Sequence, residues 1–304
     1  MKINEIIQTI KSTSKGEDGL LFKFKEESTA DVIKYGDGNK ECTGIITTCF
    51  ASIPVIKKAK ELGANLIIAH EALFWNHGDR QDWLKDNEAY KIKKQLLDET
   101  GIVVWRNHDY MHSGIKVDGE YKDAIFYGLA DHLGWTKYII NDEPIPMNYE
   151  FDEPILAKDL AKELIDKLNL NGTRIIGNPN TLIKKATIPM HILGSIDDSI
   201  TKRVNDENID CLITMEITDF TTEEYIRDAS YAGLNKCIIA IGHFNLEEFG
   251  MKYYEKYLPT ILKKDIKITY IQSGDAFNYI LKENKKWLFS QNKFILKKSY
   301  NQNK

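Results

Sequence analysis

Short apolar runs with no polar alternation, each followed by a helix-like or polar segment, constrain this chain more than any other feature. In the first half, "TGIITTCF" leads to "SIPVIKKAKELG", "ANLIIAH" to a loop and "AYKIKKQLLDETG", and "IVVWRN" to a polar stretch and "KDAIFYGLADHLG". A segment rich in Pro, Asp and Asn at residues 141–154 interrupts the pattern. It then resumes: "LAKDLAKELIDKLNL" precedes "TRIIG", "KKATIPMHILGS" precedes "DDSITKRVNDEN", and "IDCLITM" precedes "TEEYIRDASYAG". Finally "NKCIIAIGH" precedes "EEFGMKYYEKYL", and "DIKITYI" closes the series. A strand that is apolar at every position has both faces buried, and helices supply the cover. The pattern therefore predicts an α/β architecture with largely parallel sheets. The polar break divides it into two α/β lobes, residues 1–140 and 141–304, unless the chain forms one continuous domain; 304 residues suffice for either.

Composition narrows the partners. A net charge of -4 gives no overall attraction to nucleic acid or to an anionic membrane. No run approaches the ~20 apolar residues that span a bilayer. The opening "MKINEIIQTIKSTSKGEDG" lacks the apolar core of a secretory signal, so the expected setting is the cytoplasm. Cys42, Cys49, Cys211 and Cys237 are scattered without a CxxC pair, and the last three lie in or beside apolar runs as expected of buried, reduced thiols. The basic, aromatic run "NKKWLFSQNKFILKKSYNQNK" reads as a closing strand and frayed tail rather than a nucleic-acid patch.

The chemistry gathers at strand ends, where open α/β sheets collect their ligands. His70 and Glu71 end "ANLIIAH"; His108, Asp109 and His112 follow "IVVWRN"; His243 and Glu247 follow "NKCIIAIG". His108/His112 and His243/Glu247 are each spaced i, i+4, which puts both side chains on one face of a helical turn with Cβ atoms ~5–6 Å apart. Imidazole nitrogens with carboxylate oxygens suit Zn, Mn, Fe or Ni better than Ca or Mg. Four imidazoles and two carboxylates exceed what one tetrahedral ion needs and match two ions ~3.5–4 Å apart that share a bridging group.

The order "GANLIIAHEALFW", His-x-x-x-ligand, "DCLITMEITDF", "IAIGHFNLEEFGMKYY" and "SGDAFNYI" resembles the NIF-three-like family of dinuclear metal-centre hexameric proteins, some of them type 2 GTP cyclohydrolase I. The resemblance spans most of the chain. It implies a NIF-three-like fold with the metal site at strand carboxyl ends in a cleft, a homohexamer, and a small-molecule substrate such as a nucleotide. The family's usual His-His after the apolar strand is His70-Glu71 here, and its usual His-x-x-x-Asp is His108-x-x-x-His112. The inventory is kept while its distribution changes, so Glu71, Glu247 and Asp109 all remain candidate bridges.

Glu216 in "ITMEITDF" resembles the family's acidic residue facing the metal cleft, either a general base or a group that orients a ligand. His77 and Asp79 on the loop "LFWNHGD" could touch substrate or serve only the loop, and Asp109 could likewise touch substrate or support a ligand. His132 and His191 read as structural, and "LGSIDDS" (residues 193–199) is a weak candidate anion site. The expected function is a hydrolase dependent on two divalent ions, acting on a nucleotide or purine ring as the resemblance implies. The competing expectation is a metal-binding scaffold or regulatory protein that presents the site without turnover.

Overall fold

The structure is a computed structural model that describes residues 1–17, 23–25, 28–140, 147–189, 199–216 and 220–281. In chain order, the first half contains α1 (Ile3–Thr13), β1 (Ile33–Tyr35), β2 (Ile45–Thr48), α2 (Ile53–Glu61), β3 (Leu66–Ala69), α3 (Glu88–Thr100) and β4 (Val103–Arg106). The chain continues through α4 (Asp109–Ser113), a hairpin of β5 (Ile115–Val117) and β6 (Glu120–Lys122), and α5 (Ala124–Leu133). The second half adds β7 (Asn148–Leu156), α6 (Ala157–Leu168), β8 (Arg174–Gly177), β9 (Leu182–Thr187), α7 (Ser199–Asp206), β10 (Cys211–Thr214) and α8 (Thr222–Tyr231). It ends with β11 (Cys237–Ala240), α9 (His243–Ile261) and β12 (Ile268–Tyr270).

Two five-stranded sheets result, ordered β1-β4-β3-β2-β12 and β7-β9-β10-β11-β8. Both are mixed, which corrects the expectation of largely parallel sheets. Their centres are parallel: β2, β3 and β4 in one and β9, β10 and β11 in the other. Antiparallel strands close the edges, β1 on β4, β7 on β9 and β8 on β11. The unbroken apolar runs are the central strands, with every residue of β2, β3, β4, β10 and β11 buried. Edge strands bury less and are free to carry polar residues and proline. β7 runs through the segment expected to be a break, carries Pro154, and is bulged between Glu150 and Ile155.

The first sheet draws on both halves of the chain. β12, from the second half, pairs in parallel with β2 in the first sheet. α9 joins the two: it leaves β11 of the second sheet and packs against α5, β2 and β12. Gly128 of α5 and Gly250 of α9 permit that packing, since a Cβ on Gly128 would lie 2.7 Å from the Gly250 backbone. One hydrophobic cluster runs from Ile45 and Leu66 in the first sheet through Phe126 and Leu246 to Ile213 and Ile239 in the second. That shared core fixes the carboxyl ends of β2, β3 and β4 against those of β10 and β11. Among the described residues, no helix is long and apolar enough to cross a membrane.

Candidate metal centre

All six residues expected to ligate metal converge where those strand ends meet. His70 follows β3 and is fully buried, with Nδ1 3.2 Å from the Asn107 carbonyl oxygen. His108 precedes α4, and its Nδ1 lies 2.9 Å from Asp109 Oδ1. His112 lies one turn on, with Nδ1 2.8 Å from Asp123 Oδ2. In each case an oxygen acceptor holds a proton on Nδ1, so that the neutral ring presents its lone pair at Nε2. The His70 ring stacks on His108 at 4.6 Å between centroids and meets His112 edge-on at 4.9 Å. A ring nitrogen from each of the three comes within 4.8 Å of the others.

The short α4 turn is held from outside. Asp31, fully buried, accepts the backbone N–H groups of His108, Asp109 and Tyr110 at 2.7, 3.0 and 2.8 Å. Asp123 does double work, since its other oxygen caps α5 by accepting the N–H groups of Ile125 and Phe126 at 2.9 and 3.0 Å.

The carboxylates complete the cluster. Glu247 is buried in the first turns of α9, and its two oxygens face different histidines: Oε2 lies 3.7 Å from His70 Nε2 and Oε1 lies 3.2 Å from His243 Nε2. Glu71 Oε1 is 3.4 Å from the same His243 nitrogen, and Glu71 Oε2 is 3.2 Å from the Arg106 guanidinium. Glu216, at the end of β10, pairs with His243 Nδ1. A second group, His70, Glu71 and Glu247, also brings its ligand atoms within 4.8 Å.

Proton affinities follow from this crowding. Burial alone would raise the Glu71 carboxyl, but its bond to His243 and the nearby His70 and His108 hold it down at about 2. Glu247 is lowered in the same way, with burial outweighed by His70 and His243. Burial and the neighbouring His70 and His112 bring His108 down to about 4 despite Asp109. Burial opposes charge on His112 and His243 too, yet Asp123 with Glu247 and Glu71 pushes His112 up to about 9, and Glu216, Glu247 and Glu71 push His243 up to about 12.

The donor set fits divalent metal. His70 Nε2 is buried and has no hydrogen-bond partner among the described residues, an arrangement costing several kcal/mol unless something fills it. A cation at that nitrogen, flanked by Glu247 and the neighbouring imidazoles, would supply the missing partner.

The other expected residues take distinct places. Asp109 is turned away from the cluster, accepting from Thr29 Oγ1 at 2.8 Å and the Ala30 N–H at 2.9 Å besides supporting His108. His77 is exposed, with its ring 5.7 Å from that of His108. Asp79 serves its own loop by accepting the Phe74 N–H at 2.9 Å. His132 stacks on Phe249 at 4.0 Å, away from the cluster. His191, residues 193–198 and the C-terminal run from residue 284 lie outside the described residues.

Sequence reasoning missed Asp31, Arg106 and Asp123. For Asp123 a signal existed, an Asp directly ahead of the helical "AIFYGLADHL", though nothing local ties that cap to His112. Asp123→Asn should keep the cap, because the amide oxygen still accepts, while withdrawing the charge behind His112. Metal affinity is expected to fall ~10–100-fold with little change in melting temperature; chelator competition with thermal melting measures both, and unchanged affinity would remove Asp123 from the site.

Fold and cluster together define an α/β protein with two mixed sheets whose strand ends carry a histidine–carboxylate site able to hold metal. The family model described as Duf34/NIF3 (NGG1p interacting factor 3) matches residues 1–275, and the chain belongs to that family. A GTP cyclohydrolase 1 type 2 homolog of Clostridium perfringens is 27% identical over 290 residues, covering 92% of this chain and 100% of the relative. Staphylococcus aureus hypothetical protein SA1388 superposes with a TM-score of 0.66 at 19% identity, covering 92% of this chain and 99% of that one. A Bacillus cereus protein related to NIF3 gives 0.66 at 15% identity, again over 92% and 99%. The last two likenesses concern the fold.

Proposed function

We propose that this chain is a hydrolase that works with two divalent ions, held by His70, Glu71, His108, His112, His243 and Glu247. The observation that carries the reading is Glu247, whose two oxygens face His70 Nε2 on one side and His243 Nε2 on the other, as a bridging carboxylate must. The ions, drawn from Zn, Mn, Fe or Ni, supply Lewis acidity toward a phosphoryl, carbonyl or purine-ring electrophile.

The chain's own groups then have defined tasks. Asp109, Asp123 and Glu216 each engage the Nδ1 of a histidine and aim its Nε2 inward. On this reading Glu216 and Asp109 orient ligand histidines rather than abstract protons or bridge the ions. Phe244, exposed and 6.0 Å from the His243 ring, offers flat apolar surface to a ring-bearing substrate. The name of the Clostridium relative makes a purine nucleotide the first substrate to test.

Elemental analysis of the purified protein, with a screen of nucleotides and phosphoesters, tests the reading. About two ions per chain with turnover supports it. Two ions with no turnover across the screen would leave a metal-binding scaffold, and no metal would refute both. The family resemblance also brings a ring of six into the proposal, so light scattering should give about six times the 35.0 kDa chain mass. A stable monomer would remove that part.

A further inference from the structure

The histidines around the cluster fall into two kinds, and the second kind has a job the metal reading does not use. His70, His108, His112 and His243 all have Nδ1 against an oxygen acceptor: the Asn107 carbonyl, Asp109, Asp123 and Glu216. His77 has the opposite arrangement. Its Nδ1 faces Arg106 Nη2 at 3.4 Å. A guanidinium has donors and no acceptor, so Nδ1 must accept and the ring proton sits on Nε2. While that bond stands, the Nδ1 lone pair is occupied and the ring offers its surroundings an N–H. Among the described residues, Nε2 itself makes no hydrogen bond.

The loop carrying His77 is built to hold that position. Trp75 and Asp79 both adopt left-handed backbone conformations, with φ of 57° and 50°, each costing ~1–3 kcal/mol for a residue other than glycine. The surroundings impose them. Asn76 Nδ2 donates to the Phe74 and Arg80 carbonyls at 3.0 and 2.9 Å, and Asn76 Oδ1 accepts the Arg80 N–H at 2.8 Å. Buried Lys93 donates to the Leu73 carbonyl at 2.7 Å. Arg106, also fully buried, grips the His77 carbonyl at 2.6 Å while bonding the His70 carbonyl and Glu71. One side chain thus links the loop, a candidate ligand and the His77 tautomer. The His77 ring stands nearly perpendicular to His108, at 85° and 5.7 Å, exposed at the edge of the cluster.

We propose that His77 is a neutral N–H donor to a substrate oxygen at the edge of the metal centre, and that Arg106 is the positioning residue that sets its tautomer. The inference rests on the two-ion reading of the centre and deepens it by giving the substrate an oxygen-bearing, anionic group. Two divalent ions, with the Arg106 guanidinium beside Glu71, would place concentrated positive charge next to the His77 loop, which favours such a group. An N–H fixed beside it stabilises negative charge developing on oxygen and needs no proton transfer.

Three measurements test this. Long-range proton–nitrogen spectra of histidine-labelled protein, zinc-loaded and metal-free, report the tautomer, with His77 assigned from the spectrum of His77→Gln. The expected result is Nε2–H at neutral pH; Nδ1–H or imidazolium overturns the proposal. Inorganic phosphate, titrated calorimetrically into zinc-loaded protein, should bind about tenfold more weakly to His77→Ala. His77→Gln keeps an N–H and should bind within about threefold of wild type. Equal affinity in wild type and His77→Ala, or no binding by the wild type, overturns the proposal. Zinc content should be the same in His77→Ala as in wild type, and a loss would make His77 a ligand instead. A wild type that takes up no zinc would defeat the two-ion reading, while the metal-free spectra would still decide the tautomer.

Discussion

Glu247→Gln is expected to give a folded protein that retains fewer than one divalent ion per chain. The side chain is 3% exposed and lies between His70 and His243, with one oxygen toward each. The amide keeps the shape, loses the charge, and replaces one of the two facing acceptors with a donor. Glu71 would then be the one carboxylate left among the proposed ligands. Losing a group that merely supports a ligand costs ~10–100-fold in affinity, and losing a shared ligand should exceed that range. Glu71→Gln should cost less, because Arg106 at 3.2 Å already offsets part of the Glu71 charge. Elemental analysis of both variants, beside circular dichroism to confirm folding, gives the ranking. Wild-type metal content in Glu247→Gln would take this residue out of the site.

The central strands were legible because burial on both faces leaves runs that are apolar up to their last residues. "LIIA", "VVWR", "CLIT" and "CIIA" each appear as fully buried strands. Edge strands carry no such mark. β1 is three half-buried residues, and β7 mixes acidic residues with Pro154, which an edge tolerates because one side of its ladder is open. The β5–β6 hairpin did have a local signal in Asp118-Gly119, whose φ values of 51° and 91° are those a tight hairpin turn demands.

The same division holds at the site. His70, His108, His112, His243 and the two glutamates were legible because strand ends and i, i+4 spacing are local features. Asp31 reaches His108 across 77 residues and Asp123 reaches His112 across 11, so these supports depend on how the sheets and helices pack. Nothing local could distinguish His77 from the ligand histidines either. The difference is a donor rather than an acceptor at Nδ1, and that donor comes from β4, 29 residues away.

Metal uptake is expected to depend steeply on pH. In the metal-free chain the carboxylates hold protons on the histidines, with His112 pushed up to about 9 and His243 up to about 12. A protonated imidazole has no lone pair to give, so ions must displace those protons. Below about pH 9 two protons leave, and the affinity for filling the pair should climb about a hundredfold per pH unit. Stability of the metal-free protein should move the other way. Both folded values lie above the ~6.5 of an unfolded histidine, so their contribution is complete below that pH and is lost as pH rises through about 9 and then about 12. Glu71, held at about 2, contributes above its ordinary value and fades only as pH falls through about 2. Chelator-treated protein should therefore lose thermal stability between about pH 6.5 and 9.5, while zinc-loaded protein does not, because the ions replace the lost protons between the carboxylates. Chelator competition and melting curves across that range measure both trends, and an affinity that stays flat with pH would mean these histidines do not hold the ions.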